Sequence, residues 1–252
     1  MKFLPLLALC IIHAQATPMA RMWHGIKSDD PVPHHVHMWV WDMYDETWPA
    51  SGVLISDRHV LTAAVNVYHY KRFDLRFGGR RQKDLQSVTS YEAIVHENFD
   101  DRTDDNNLAI IIAPTQIQFT LNIQPIALPR QSEDIPRQGQ IGTVAAFSYL
   151  SDYGPTSTVL EYGRMTIMTP SECEVVYPHI HGIVSHFFCA KDVDFNVCGG
   201  AQGAGLVVRE QNFDVLAGIV SFGNIWKDCS SRIPPGFIKV SEYVNWIAEK
   251  IQ

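Results

Sequence analysis

The chain reads as an all-β protein closed by a single helix. Short apolar runs alternate along it with Asp, Gly, Pro and Ser clusters, the pattern of a β-sandwich or barrel. A strong helical period appears only at the end, in Ser241-Glu-Tyr-Val-Asn-Trp-Ile-Ala-Glu-Lys-Ile251, where Tyr243, Val244, Ile247 and Ile251 share one face and Ser241 stands as N-cap. At 252 residues the chain is long enough to bury a sizeable core in one large or two small domains.

Taken in order, residues 1–16 read as a secretory signal. Lys2 precedes an apolar run over 3–12, and Ala14-Gln15-Ala16 supplies a small-x-small cleavage site after Ala16. That run is too short to span a bilayer, and no later stretch is long and apolar enough, so an exported, extracellular protein is expected. A short segment, 17–21, ends at Arg21. Candidate strands follow at 36–41, 48–49, 51–56, 60–64, 75–77, 93–96 and 108–112, and again at 142–147, 159–167, 205–208 and 215–221.

Charge narrows the partners. A formal net charge of −7 argues against nucleic acid or an anionic membrane as the main partner. Basic residues cluster at Lys71, Arg72, Arg76, Arg80, Arg81 and Lys83, and acidic ones at Asp100, Asp101, Asp104 and Asp105. Both read as solvated loops and strand edges, with partner-steering patches as the alternative. Cys10 leaves with the signal, so Cys173, Cys189, Cys198 and Cys229 remain. An even count in an oxidising compartment predicts two disulfides, in any of three pairings.

Several ordered motifs resemble the chymotrypsin/trypsin-like serine protease family over residues 22–252. Cys198-Gly-Gly-Ala-Gln-Gly-Ala-Gly-Leu-Val-Val208 is similar to the loop that presents that family's reactive serine. Ser51-Gly-Val-Leu-Ile-Ser-Asp-Arg-His-Val-Leu-Thr-Ala-Ala-Val-Asn66 resembles the segment ending in its catalytic His. His96-Glu-Asn-Phe99 and Asn107-Leu-Ala-Ile-Ile111 resemble the segment carrying its catalytic Asp. Gln124-Pro-Ile-Ala-Leu-Pro129 looks like the linker between barrels, and Gly218-Ile-Val-Ser-Phe-Gly223, Pro235-Gly236 and Val240 to Ile247 look like the substrate strand, pocket wall and final helix. The resemblance implies two antiparallel six-stranded β-barrels, roughly 22–129 and 130–252, with a C-terminal α-helix. It also implies disulfides Cys173–Cys189 and Cys198–Cys229. Two further family bridges, at the positions of Ala50 with Asn66 and of Thr143 with Val208, lack both members here. Each absent bridge would remove roughly 2–4 kcal/mol of unfolded-state constraint.

The same alignment of motifs puts Val65, Asn107 and Gln202 where the family has its His, Asp and Ser. Acyl transfer in this fold needs a hydroxyl nucleophile, an imidazole base and a carboxylate that holds the imidazole. An alkyl group and two amides supply none of these near neutral pH. Ala201 stands where the family's Asp receives the ammonium freed by cleavage after the pro-segment, here after Arg21. An ammonium buried without a partner costs several kcal/mol, so that activation switch is expected to be absent. The amides of Gly200 and Gln202 remain available as an oxyanion hole. His69 and Ser221 are candidate substitutes for the lost groups, but neither brings a partner, and they read as a loop histidine and a strand residue.

The substrate pocket is better preserved. Gly223 and Gly236 stand at its walls, neutral Asn196 at its base, and Ser221-Phe-Gly223 offers an edge for strand pairing with an extended peptide. Neutral Asn196 would suit a polar or apolar side chain. The glycines also have a bland reading, as residues that keep barrel turns allowed. Histidines at 24, 34, 35, 37, 179, 181 and 186 raise a metal hypothesis, His35 and His37 sharing a strand face. No carboxylate or cysteine completes a ligand set, and exposed loop or edge positions read better. The expectation is a secreted, catalytically inactive serine protease homologue without a cofactor, which binds extracellular proteins such as a protease, an inhibitor or a receptor. The alternatives are an endopeptidase with a non-standard site and a metal- or glycan-binding module.

Overall fold

The computed structural model describes residues 25–27, 32–150, 154–180, 185–223 and 233–252. The proposed cleavage sites at Ala16 and Arg21, together with His24, His181 and Cys229, lie outside them. The strands are β1 (Ile26–Lys27), β2 (His35–Asp42), β3 (Thr47–Leu54), β4 (His59–Thr62), β5 (Tyr70–Phe77), β6 (Gln86–Ser90), β7 (Glu92–Val95) and β8 (Ala109–Ile112). The second half adds β9 (Ile141–Ala146), β10 (Glu161–Ile167), helix α1 (Pro170–Val176), β11 (Phe187–Lys191), β12 (Gly205–Glu210), β13 (Phe213–Phe222), β14 (Gly236–Lys239) and helix α2 (Val244–Lys250).

Two antiparallel barrel-like sheets of six strands result. In the first, the order is β6-β5-β2-β3-β4-β8-β7. Only Tyr91 separates β6 from β7, so one bent segment pairs with β5 at one end and β8 at the other and closes the sheet. In the second, β10-β11-β14-β13-β12-β9 closes through the β9–β10 pairing. The division at residue 129 needs one correction. Strand β1 belongs to the second sheet, since Ile26 and Lys27 pair with Tyr162 and Glu161 of β10.

The alternation of strand side chains explains the continuous apolar runs. Val60 and Ile111 point into the first barrel with Val36, Met38 and Val40, whereas their neighbours Leu61 and Ile110 point outward. Outward residues are equally buried, because they meet Phe187, Leu216, Ile219, Ile238 and Ile247 between the barrels. A strand with an apolar partner on each face needs no polar alternation. Each fully buried Leu or Ile contributes about 1.5–3 kcal/mol, so a few of them outweigh an absent disulfide.

Two helical expectations are corrected. Ser241 is not an N-cap: it lies in a 3₁₀ turn, Val240–Glu242, and its hydroxyl donates to the Ile135 carbonyl at 3.3 Å. Helix α2 begins after Tyr243 with no side-chain cap. The terminal helix is also not alone. Helix α1 has Pro at its start and a capping box in which Thr169 accepts from the Glu172 amide while Glu172 accepts from Thr169. Its Cys173 is joined to Cys189 of β11. Cys198 is also disulfide-bonded.

Candidate active-site cleft

The loop 198–208 is fastened to the first barrel by residues of the Ser51 to Asn66 segment. Ser51 donates its amide to the Gln202 carbonyl at 3.0 Å and its hydroxyl to the Gly200 carbonyl at 2.7 Å. Buried Asn66 donates from Nδ2 to the same Gln202 carbonyl at 2.9 Å and to Thr62 Oγ1 at 3.0 Å. Thr62 in turn donates to the Ser51 carbonyl at 2.8 Å. Gly203 sits against all three, with φ +86°. A Cβ there would overlap the Ser51 carbonyl, the Thr62 hydroxyl and the Asn66 amide, so the approach of loop to barrel requires glycine. Asn66 thus occupies the place of a family cysteine and links the barrels by hydrogen bonds instead. Asn66→Ala is expected to cost about 1–3 kcal/mol in urea unfolding, because it removes two buried hydrogen bonds.

The three degenerate positions meet. Val65, in the 3₁₀ turn Ala64–Asn66, donates its amide to Asn107 Oδ1 at 3.0 Å. Asn107, fully buried, donates from Nδ2 to Ser221 Oγ at 3.0 Å. Gln202 turns its amide to the Ser221 carbonyl at 2.8 Å. The four residues form one polar chain held by neutral groups, with Ser221 at its centre. Ser221 Oγ has no imidazole or carboxylate partner among the described residues.

Val65, Gln202 and Ser221 line a cavity of about 230 Å³, together with Trp48, Tyr70, Asp104, Phe222 and Gly223. Of the four anticipated pocket positions, Ser221 and Gly223 reach it. Asn196 and Gly236 do not line it. Asn196 is buried and donates to the Ile233 carbonyl at 3.1 Å. A Cβ on Gly236 would collide with the Phe222 ring, so that glycine makes room for packing. Tyr177 braces the same ring edge-on at 5.0 Å and donates its hydroxyl to the Pro234 carbonyl. Burial raises the Tyr177 phenol to about 12.

Backbone amides supply the remaining chemistry. Gly200, at φ +88°, and Gln202 make no amide hydrogen bond to protein among the described residues. Those N–H groups are available to an acceptor oxygen. Ala201 between them is fully buried in the core of the second barrel, alongside Val144, Val197 and Leu206.

The candidate substitutes and ligands lie elsewhere. His69 is exposed, packs edge-on against Tyr68 at 4.4 Å and does not line the cavity. His35 and His37 do share a strand face, but the face is internal rather than exposed. They are 5% and 0% exposed and lie 5.9 and 5.2 Å from the Phe147 ring, centroid to centroid. The apolar seam between strand and ring, not a loop edge, sets their chemistry. Burial pushes His37 down to about 3 and His35 well below the ordinary histidine value. Among the described residues no three His, Cys, Asp or Glu side chains are grouped to hold a metal ion. No helix among them is long and apolar enough to cross a membrane.

One cleft residue stands apart from these expectations. Asp104 comes from the acidic run 100–105, where solvated loop was the reading, yet it lines the cavity in a left-handed backbone conformation, φ 58°. Burial, with repulsion from Asp105, raises its carboxyl to about 6. Sequence carried only a faint signal for it, the cluster of like charges just before Asn107.

Known proteins place this geometry. The family model for Trypsin matches residues 26–247. A chymotrypsin from Phaedon cochleariae is 26% identical over 230 residues, covering 88% of this chain and 80% of its own. A collagenase from Hypoderma lineatum is 30% identical over 203 residues, covering 79% and 74%. A solved HL collagenase structure matches with a TM-score of 0.80 at 27% identity, over 90% of this chain and 97% of that one. The matched span runs from β1 into α2 and contains every residue of the cleft, so the chain belongs to the trypsin-like serine protease family.

Proposed function

We propose that this chain is a secreted, non-catalytic member of its family that acts by binding an extracellular protein, as cofactor, decoy or regulator of proteolysis. The observation that carries the reading is the neutral chain Val65–Asn107–Ser221–Gln202. Where the family's mechanism moves a proton from a hydroxyl to an imidazole held by a carboxylate, the groups here are an alkyl side chain, two amides and one hydroxyl with no base partner among the described residues. Loss of a single member of such a unit can cost on the order of 10⁶ in turnover. Ala201 in the apolar core leaves no carboxylate for a freed N-terminal ammonium. Export is supported by the apolar leader after Lys2 and by the Cys173–Cys189 disulfide.

The test is affinity capture of the mature chain's partners from its native fluid, followed by reconstitution with the purified partner. Binding to a protease, a protease inhibitor or a receptor is expected. Absence of any such partner at physiological concentration overturns the reading. A second reading, an endopeptidase with a non-standard site, draws on the unpaired amides of Gly200 and Gln202 and on relatives named as a chymotrypsin and a collagenase.

A further inference from the structure

Among the described residues, Asp104 is the one charged residue lining the cleft cavity. Its carboxylate has neither a hydrogen bond nor an ion pair among the described residues. The arginine of the same loop does not neutralise it, because Arg102 is engaged with Asp100 at 3.2 Å. Three aromatic residues line the cavity with it, Trp48, which is 42% exposed, Tyr70 and Phe222. An unpaired carboxylate and aromatic rings that line one cavity are the chemistry that attracts an organic cation, through charge and through the ring quadrupoles together.

The loop is also held in place before anything binds. Its first end is tied by Trp246 Nε1 to Glu97 at 2.8 Å, with the His96 ring against Trp246 at 5.0 Å. Its last end is tied by the Tyr243 hydroxyl to Asn106 Oδ1 at 3.1 Å, and Asn106 donates to the Asn98 carbonyl at 3.0 Å. Asp104 therefore needs little ordering on binding. The cavity's 230 Å³ falls below the roughly 300–1,000 Å³ typical of small-molecule sites, a size suited to one side chain.

We propose that the cleft receives a lysine or arginine side chain of the partner protein, its cation set beside the Asp104 carboxylate and the rings of Trp48 and Tyr70. This rests on the binding reading above and names the chemistry of what is bound. The raised pKa of Asp104 accords with it, since burial and the neighbouring Asp105 disfavour its anion and an arriving cation would favour it.

The test uses the full mature chain with two small probes, Nα-acetyl-lysine methylamide and its uncharged norleucine counterpart, followed by ligand-observed NMR at pH 7.5. The lysine probe is expected to bind about tenfold more tightly, the sum of a modest ion pair and a cation–π contact. Asp104→Asn, which suits the left-handed backbone and should leave the fold intact, is expected to reduce that preference below about twofold. Asp105→Asn should leave most of it. Equal binding of the two probes, no binding of the lysine probe, or a preference that survives Asp104→Asn overturns the cation site. Partner capture alongside equal probe binding would remove the site and leave the binding reading standing. Peptide turnover with an intact lysine preference would do the reverse.

Discussion

Ala201→Asp is expected to destabilise the protein by roughly 3–5 kcal/mol at pH 7.5, whether or not the chain has been cut after Arg21. Ala201 is fully buried in an apolar cluster with Val144, Val197 and Leu206. In active relatives the resemblance assigns that carboxylate to a buried terminal ammonium, which repays the desolvation. Here the wall has closed around a methyl group. The sign with pH follows. A carboxyl introduced there would have its folded pKa raised above the unfolded value, so the native state takes up the proton first and part of the lost stability returns as pH falls. Urea unfolding of the cut and uncut variant at pH 7.5 and 5.5 measures both effects. Full recovery of stability on cutting at pH 7.5 would mean that the new terminus reaches the introduced carboxylate and that the activation switch survives.

Acid is expected to weaken the wild-type fold by roughly 3–5 kcal/mol between pH 7 and 5, ahead of ordinary carboxylate protonation. The cause is His35 and His37, buried on one face of β2 against Phe147. Their folded values are depressed, His37 to about 3, so their full contribution is present above the unfolded value near 6.5. As pH falls below it, the unfolded chain binds protons that the native chain refuses, and each histidine then removes about 1.4 kcal/mol per pH unit. Asp104, raised to about 6, works in the opposite direction and offsets part of the slope. Half-buried His34, lowered to about 4, adds to it. Denaturant midpoints across this range test the sum, and His37→Leu should remove about a third of the histidine slope. A midpoint that holds level or rises towards pH 5 would contradict the assignment.

Most strands were readable because their apolar runs are bracketed by turn residues. The continuous runs at 60–64 and 108–112 carried a further meaning, since each strand there serves a barrel interior on one face and the other barrel on its opposite face. Helix α1 escaped notice because seven residues are too few to show a period, although Thr169-Pro-Ser-Glu172 spells its capping box. Strands β11 and β14 were hidden for a related reason: each is short, and β14 contains only Gly236-Phe-Ile-Lys239. Ser241 misled because the chain makes a 3₁₀ turn before α2, and a propensity rule for caps does not foresee an inserted turn.

In the cleft, motif order sufficed to place Val65, Asn107 and Gln202. What they touch was not available from motifs. The Asn107 bond to Ser221 and the Asn66 bond to Gln202 join residues from different barrels, and only the packed structure sets those distances. Asp104 is the clearest case. In sequence it is one of several loop aspartates, and it differs from Asp100 and Asp101 in the folded chain, where it takes a left-handed backbone conformation and lines the same cavity as Trp48 and Tyr70.

The most direct measurement is exposure of the pure mature chain to a fluorophosphonate serine label, with intact-mass detection and a parallel panel of peptide substrates. Val65, Asn107 and Gln202 leave Ser221 as the serine of the cleft, buried and with no base partner among the described residues, so no covalent adduct and no turnover above background are expected. A stoichiometric adduct on Ser221, with peptide hydrolysis that disappears in Ser221→Ala, would contradict the account.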